Sequence, residues 1–361
     1  MRTEQPLPPG SIIGMLGGGQ LGRMLALAAA RLGMKTHIFC PDPDSPAFDV
    51  TPLRTVAAYD DEQALAGFAD AVGVVTYEFE NVPVATARLL ARLKPLHPGA
   101  EALEIAQDRL REKAFLTGQN IPVAPYRAVE SLADLNAALA ALGTPAVLKT
   151  TRLGYDGKGQ RIISAPGEAA MAFAALAPKP LVLEAFIPFE KEISVVIARA
   201  ASGEIKAFEP AENVHRHHIL HTSTVPADIS ADLARAATDA ATAIVAALDY
   251  VGVLGIEFFV TGDDLLVNEI APRVHNSGHW TEAVCVTDQF EQHIRAICGW
   301  PLGDPTRLAD VVMENLIGDD VLALPGRLGR GIRPQLYGKR EVRAGRKMGH
   351  LNHVARPHRT K

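Results

Sequence analysis

Short apolar runs alternate with amphipathic stretches over the first hundred residues. The segment "SIIGMLGGGQLGRMLALAAARLGMKTHIFC" fits a strand beginning near Ser11, a glycine turn, an Ala/Leu-rich helix ending at Gly33 and a second strand. Further on, "EQALAGFA" and "VATARLLARL" have helical spacing, and "VGVVTYEF" between them is strand-like. This β-α-β alternation predicts an open parallel sheet.

The pattern changes after "KPLHPGAEAL", whose prolines and glycine mark a boundary. The helical segments "DRLREKAFLTGQ", "SLADLNAALAALG" and "SADLARAATDAATAIVAALDY" accompany strand-like runs: "PAVLK", "GQRIIS", "LVLEAFI", "EISVVIARA", "EIKAFEP", "VGVLGIEFFV" and "DLLVNEIA". The pattern predicts an α/β unit over residues 1–108, an α+β unit with antiparallel sheet over 109–300, and a small third unit over 301–361.

Composition narrows the class of protein. Of 361 residues, 48% are apolar and 21% charged, and no apolar run approaches the ~20 residues of a membrane helix. The N-terminus lacks a signal or transit pattern, and the cysteines Cys40, Cys285 and Cys298 are scattered, so we expect a cytoplasmic protein without a membrane partner.

Charge is unevenly distributed. The formal net charge of −5 gives no general reason to expect a nucleic-acid partner, yet residues 339–361 carry eight Lys/Arg and one acid. This basic segment is either a solvated tail or a site for a small anion.

A glycine-rich loop follows the predicted strand that ends in Lys149. In "LKTTRLGYDGKGQRII", Gly154, Gly157 and Gly159 allow the backbone to approach an anion closely, and Lys149 and Lys158 add positive charge. A strand, not a helix, follows, so this is not a Walker loop. We interpret it as a flap over phosphates at a hairpin tip; the alternative is a plain glycine-rich turn.

Carboxylates interrupt two apolar strands in "GIEFFVTGDDLLVNEIAPR". A two-residue loop would place Glu257 opposite Asn268, and a three-residue loop would place it opposite Glu269. Like charges across a ladder are unfavourable unless a cation lies between them, and hard oxygen ligands suit Mg²⁺. The alternative is an exposed hairpin with ordinary surface acids.

Three further patterns are weaker alone. "LVLEAFIPFEKEISVV" could form a hinge facing an adenine, with Glu192 accepting from ribose hydroxyls. "GMLGGGQLG" fits GxGxxG, and with Asp42 about 20 residues on it allows a dehydrogenase. "HRHHILH" could hold a transition metal through His217 and His221, although a solvent-facing loop with only His215 near a nucleotide fits its context better.

Taken together, the order of these parts resembles the ATP-grasp superfamily. "GGGQLGRML", "GYDGKGQ", "NEIAPRVHNSGHWT" and "GRKMGHLN" are similar to signature segments of the N5-carboxyaminoimidazole ribonucleotide synthetases, and the resemblance covers nearly the whole chain. It implies a Rossmann-like parallel-sheet domain, a two-lobed ATP-grasp domain and a small C-terminal domain.

The resemblance also implies roles for individual residues. Lys149, Lys158, Arg273 and His275 would be catalytic. Metal, Mg²⁺ or Mn²⁺, would be held by Glu257 and Glu269 with Asn268 beside them. ATP would be bound by Arg109, Lys149, Gly154, Tyr155, Asp156, Gly157, Lys158, Gly159, Gln160, Glu184, Ala185, Phe186, Ile187, Glu192, His215, Asn268 and Glu269. The ribonucleotide would contact Gln20, Leu21, Glu78, Tyr155, Lys158, Arg273 and His275, with its phosphate on Lys339 and Arg346.

The implied reaction is ATP-dependent phosphorylation of bicarbonate to carboxyphosphate, followed by carboxylation of 5-aminoimidazole ribonucleotide (AIR), by a homodimer. Two other possibilities are a catalytically silent ATP-binding sensor and a sister ATP-grasp enzyme acting on glycinamide ribonucleotide, for example with formate, or on another small acid. Family members commonly continue for several tens of residues after "GHLN", whereas this chain stops at Lys361, so the resemblance predicts a short C-terminal unit.

Overall fold

The structure is a computed structural model that describes residues 5–154 and 157–355. Tyr155 and Asp156, both expected in the flap, lie outside the described residues. Within the described ranges, no helix combines the length and the apolarity needed to cross a membrane.

The first unit is a parallel sheet in the order β3-β2-β1-β4, as the β-α-β alternation predicts. Its elements are β1 (Ile12–Leu16), α1 (Gln20–Arg31), β2 (Lys35–Phe39), β3 (Leu53–Thr55), α2 (Glu62–Asp70), β4 (Val74–Tyr77), α3 (Val84–Leu93) and α4 (Ala100–Ala106).

A small antiparallel sheet, in the order β5-β8-β6-β7, forms the first lobe of the second unit. Its segment of the chain contains α5 (Arg109–Gly118), β5 (Tyr126–Val129), α6 (Leu132–Leu142), β6 (Ala146–Thr150), β7 (Gln160–Ile163), α7 (Ala169–Leu176) and β8 (Leu181–Ala185). Local chemistry sets the ends of α6: the Ser131 hydroxyl accepts from the Asp134 N–H, and Gly143 ends the helix with φ of +81°.

A nine-stranded antiparallel sheet forms the second lobe, in the order β14-β13-β9-β11-β12-β15-β17-β16, with β10 also paired to β9. Its segment contains β9 (Lys191–Arg199), β10 (Ile205–Ala207), β11 (Ala211–Arg216), β12 (Ile219–Val225), α8 (Ala231–Ala247), β13 (Gly252–Thr261), β14 (Asp264–Ala271), α9 (Thr281–Val284), α10 (Gln289–Ile297), β15 (Val311–Ile317), α11 (Leu324–Arg327), β16 (Ile332–Leu336) and β17 (Lys347–Val354). Short 3₁₀ turns cover Pro46–Val50, Pro166–Glu168, Asn276–Gly278 and Gly318–Ala323.

The C-terminal strands are part of the large sheet. β15 pairs with β12 along Thr222↔Glu314 to Val225↔Val311, so the backbone ladder continues from the second unit into the third. One buried apolar cluster also contains residues of all three units, among them Ile13, Trp280 and Val311. This shared core fixes the edge of the parallel sheet against the large sheet, where the site lies.

Leu254, fully buried on β13, belongs to a second apolar cluster and provides a test of the core of the large sheet. We expect Leu254→Ala to lower the free energy of unfolding by about 2–5 kcal/mol, because it removes apolar contacts and leaves a cavity. Urea unfolding measures the change. Leu308→Ala, at a side chain that is 66% exposed, should stay within about 0.5 kcal/mol of wild type; equal losses in both variants would contradict this core.

Candidate active site

A cavity of about 830 Å³ lies between the small sheet and the large sheet, and we call it the nucleotide cavity. Most side chains predicted to bind ATP or metal line it: Arg109, Lys149, Gly154, Gly157, Lys158, Gln160, Glu184, Ala185, Phe186, Ile187, Glu192, His215, Glu257, Asn268 and Glu269. Gly159 lies behind this wall against Thr150, whose N–H donates to its carbonyl.

A shared carboxylate anchors the lysines at one end of this cavity. Glu184 Oε2 lies 2.9 Å from Lys149 Nζ and 3.4 Å from Lys113 Nζ. Burial favours a higher pKa for Glu184, but the two ammonium groups outweigh it and lower that pKa. Lys113 was not predicted, although its position one helical turn after Arg109 places both on the same side of α5.

The glycine-rich loop connects two antiparallel strands, as expected of a hairpin. β6 pairs with β7 from Ala146↔Ile163 to Lys149↔Gln160. Gly157 and Gly159 have φ of +76° and +73°, and a Cβ on Gly157 would lie 2.7 Å from the His218 ring. The hairpin prediction is confirmed, and its glycines adopt backbone conformations that other residues rarely do.

The two candidate metal-binding carboxylates, Glu257 and Glu269, pair across adjacent strands because a β-bulge shifts the register. The hairpin has a two-residue turn, with Thr261↔Asp264 and Phe258↔Val267 paired, but the register then shifts and Glu257 pairs with Glu269. Asn268 is therefore the extra residue of a β-bulge, and both it and Glu269 line the nucleotide cavity. The two-residue turn and the Glu257–Glu269 pairing thus occur together, which neither predicted register allowed.

The electrostatics of this pair fit a divalent cation. Burial and the neighbouring Glu269 raise the pKa of Glu257 to about 7, which indicates that the fold itself does not neutralise the two carboxylates. Arg109 Nη1 lies 3.7 Å from Glu269 Oε2. Within the described ranges, no group of three or more His, Cys, Asp or Glu could hold a metal, but two carboxylates and an amide suit Mg²⁺, which completes its shell with water and phosphate oxygens.

Glu192 and His215 form a second ionic pair in the wall. Glu192 Oε2 lies 2.5 Å from His215 Nδ1, and their strands β9 and β11 are neighbours in the large sheet. Burial lowers the pKa of His215, but Glu192 outweighs it and raises that pKa. His217 and His218, expected to face solvent away from the nucleotide, also line this cavity, because φ values of 52° and 64° turn the chain there.

A second cavity, of about 480 Å³, lies at the edge of the parallel sheet, and we call it the substrate cavity. Six residues predicted to contact the ribonucleotide line it: Gln20, Leu21, Glu78, Arg273, Lys339 and Arg346. Lys158 and His275, predicted to contact it as well, line the nucleotide cavity instead.

The GxGxxG-like loop lines the substrate cavity, and two of its backbone N–H groups already donate hydrogen bonds to the Glu78 carboxylate. Gly19 N–H donates to Glu78 Oε1 at 2.6 Å, and Gly22 N–H donates to Glu78 Oε2 at 3.0 Å. The Glu78 carboxylate thus sits where the pyrophosphate of a dinucleotide would need these donors. This geometry argues against the dehydrogenase alternative.

The two cavities meet at a shared wall made of Glu80, Arg273, Asn276 and Lys347. Arg273 donates to Glu80 through a short ionic hydrogen bond; burial favours a higher pKa for Glu80, but the guanidinium lowers it to about 2. Sequence reasoning missed Glu80, Asn276 and Lys347. The signal for the first was its position just after β4, next to Glu78.

Family models match three consecutive segments of the chain. A ribonucleotide synthetase preATP-grasp domain matches residues 11–107, an ATP-grasp domain matches 114–290, and a phosphoribosylaminoimidazole carboxylase C-terminal domain matches 311–360. With the two-lobed site described above, these matches define an ATP-grasp, ATP-dependent ligase.

Individual relatives narrow the family. An N5-carboxyaminoimidazole ribonucleotide synthase from Brucella melitensis is 55% identical over 96% of this chain and 97% of its own length. A solved synthetase in complex with ADP superposes with a TM-score of 0.94 at 43% identity, covering 98% of this chain and 94% of that one. An Aspergillus clavatus synthase structure with ADP and AIR has a TM-score of 0.90 at 30% identity, covering 96% and 94%.

The chain belongs to the N5-carboxyaminoimidazole ribonucleotide synthase family, whose members are ATP-dependent ligases of purine biosynthesis. The family, fold and ligase class predicted from the sequence motifs are confirmed.

Glu257 predicts a specific dependence of stability on pH. Its pKa rises from about 4.3 in the unfolded chain to about 7 in the fold, so the folded state loses stability as pH rises through this window. In metal-free protein, the stability of Glu257→Gln relative to wild type should therefore increase by about 1–3 kcal/mol between pH 5 and pH 8. Urea unfolding at both values measures it.

Glu130→Gln, at an exposed acid, is the control and should show no such change. If the difference in the free energy of unfolding between Glu257→Gln and wild type is the same at both pH values, the proposed repulsion between Glu257 and Glu269 is contradicted.

Proposed function

We propose that this chain uses ATP and bicarbonate to carboxylate AIR, giving N5-carboxyaminoimidazole ribonucleotide, ADP and phosphate. The observation that carries the proposal is the junction of the two cavities at Arg273, which brings together an ATP-sized site and a smaller site whose lining includes Lys339 and Arg346. A reaction that passes an activated carboxyl group from one ligand to the other needs such a junction.

In this proposal the nucleotide cavity positions ATP and bicarbonate for phosphoryl transfer. Lys149, Lys158 and Arg273 supply positive charge where negative charge develops on the transferred group. Glu257, Asn268 and Glu269 would hold Mg²⁺, which neutralises phosphate charge when bound. His275 lies 3.5 Å from Glu257 and is buried, and its pKa falls to about 3 because of burial and Arg273, so it acts as a neutral hydrogen-bonding group.

The ribonucleotide occupies the substrate cavity, with its phosphate on Lys339 and Arg346. The amine then attacks the carboxyl carbon of carboxyphosphate, the C–O bond to phosphate breaks, and the amine loses a proton. Carboxyphosphate hydrolyses readily in water, so the flap that carries Lys158 has a purpose in excluding solvent.

The direct test is ADP release by purified protein with Mg-ATP and bicarbonate, with and without AIR, repeated with glycinamide ribonucleotide plus formate. We expect ADP release that depends on AIR and bicarbonate. Stimulation by glycinamide ribonucleotide and formate alone would favour the sister enzyme, and tight ATP binding without any turnover would favour the silent sensor. Omitting the divalent cation, or replacing Mg²⁺ with Mn²⁺, tests the metal in the same assay.

Lys339 gives a prediction for the pH dependence of AIR binding. Burial, and next Arg346, lower the pKa of its ammonium group to about 8, and its Nζ donates to the Lys347 carbonyl at 2.6 Å. Above this pH the lysine loses its charge, whereas a phosphate monoester is already ionised. KM for AIR should therefore rise between pH 8 and pH 9.5, by about 10-fold if one charge-assisted contact is lost.

Lys339→Arg should flatten this rise, because arginine keeps its charge at these pH values. Arg343→Lys, at an exposed position, is the control and should leave the wild-type pH profile in place. A KM for AIR that does not change with pH in the wild-type enzyme would contradict the role of Lys339.

The homodimer, which sedimentation would test, and the cytoplasmic location both stay predictions. The three-unit division at residues 108 and 300 also stays a proposal: the change from parallel to antiparallel sheet supports the first boundary, whereas the strands after residue 300 continue the large sheet.

A further inference from the structure

Asn276 lies in the wall shared by the two cavities, at the start of the 3₁₀ turn Asn276–Gly278. Its Oδ1 and Nδ2 atoms are both buried, and neither has a hydrogen-bond partner in the part of the chain that the structure describes. Buried amide groups are nearly always paired, and an unpaired one costs about 1–3 kcal/mol. An unpaired buried amide at this position therefore suggests that Asn276 pairs with a bound ligand.

The backbone beneath Asn276 is held by buried hydrogen bonds. The Gln289 side chain makes two hydrogen bonds to the backbone of His275. Its Oε1 accepts from the His275 N–H and its Nε2 donates to the His275 carbonyl, both at 2.8 Å. The Ser277 hydroxyl lies 2.6 Å from that of Ser194 on β9. A Cβ on Gly278 would come within 2.8 Å of the Gln289 side chain, so the turn is closely packed. The backbone that carries the amide is thus held at the junction.

The chemistry of an amide matches the two groups that would meet there. The Asn276 side chain offers donors on one atom and an acceptor on the other. A carboxyl group under transfer presents acceptor oxygens, and the exocyclic amine of AIR presents N–H donors. The cationic side chain of Arg273 in the same wall can pair with the carboxyl group only, since a guanidinium has no acceptor.

We propose that the Asn276 side chain turns into the junction when the ligands bind and then contacts both reacting groups at once, its Nδ2 donating to an oxygen of the transferred carboxyl group and its Oδ1 accepting from the amine of AIR. This inference rests on the proposed carboxylation. The Asn276 amide orients the amine of AIR toward the carboxyl carbon while the N–C bond forms. The C–O bond to phosphate breaks, and the amine proton leaves with the phosphate.

Asn276→Leu tests the proposal, because leucine has a similar size and no polar atoms. If the amide serves the ligands, the variant should unfold at the same or a higher temperature, since an unpaired buried group is removed. Its affinity for Mg-ADP should stay at the wild-type value. Its AIR-dependent ADP release should fall about 100-fold, the usual cost of losing one oriented hydrogen bond to a reacting group.

Two more variants sharpen the test. Asn276→Asp keeps the size and the acceptor but adds negative charge, so KM for bicarbonate should rise about 10-fold or more, as expected when a charge-assisted site turns repulsive. It should also yield less carboxylated product per ADP than wild type. Asn136→Leu replaces an exposed amide on α6 and should match wild type in all these measurements.

Each contrary result has a clear meaning. If Asn276→Leu melts at a lower temperature and loses Mg-ADP affinity, the amide is structural and the inference is wrong. If it retains wild-type AIR-dependent turnover, Asn276 does not bind the reacting groups, although the proposed function survives. If the wild-type protein itself shows no AIR-dependent ADP release, the proposed function fails and this inference fails with it.

Discussion

The pairing of Glu257 with Glu269 across β13 and β14 is the constraint around which the nucleotide cavity is organised. Two like charges at this spacing repel each other, and the surrounding fold only partly compensates: Arg109 reaches Glu269, and burial together with Glu269 raises the pKa of Glu112 to about 8, favouring its neutral form. The cavity is therefore negative at one end and positive at the other, near Lys149. This polarity suits a polyphosphate bound with a divalent cation.

Elsewhere the site obeys the rule that buried charges are paired. Lys149 and Lys113 share the Glu184 carboxylate, and Arg273 has Glu80. Because two ammonium groups share one carboxylate, Lys149 can turn toward a phosphate while Glu184 keeps Lys113 as a partner. An arrangement of this kind lets a lysine exchange partners without leaving a buried carboxylate uncompensated.

The sequence was sufficient for what depends on local pattern. The β-α-β unit, the flap hairpin and the strands carrying Glu257 and Glu269 follow from apolar periodicity and turn residues. The pairing register of the hairpin that carries Glu257 and Glu269 could not be predicted in this way. The bulge at Asn268 shifts the register, but the alternation of apolar and polar residues in the sequence does not reveal it. Likewise the GxGxxG loop was correctly placed before α1, but its amides bond to Glu78, a residue distant in sequence that no local pattern connects to it.

The C-terminal segment shows why composition alone left its role open. Its cations could have belonged to a solvated tail, but β16 and β17 carry the chain into the large sheet, and Lys339, Arg346 and Lys347 line the substrate cavity. The same continuous ladder includes β13 and β14, which bear the paired carboxylates. One sheet therefore sets the distance between the proposed phosphate contacts of the ribonucleotide and the proposed metal site. A rigid spacing of this kind is what a transfer between two bound ligands requires.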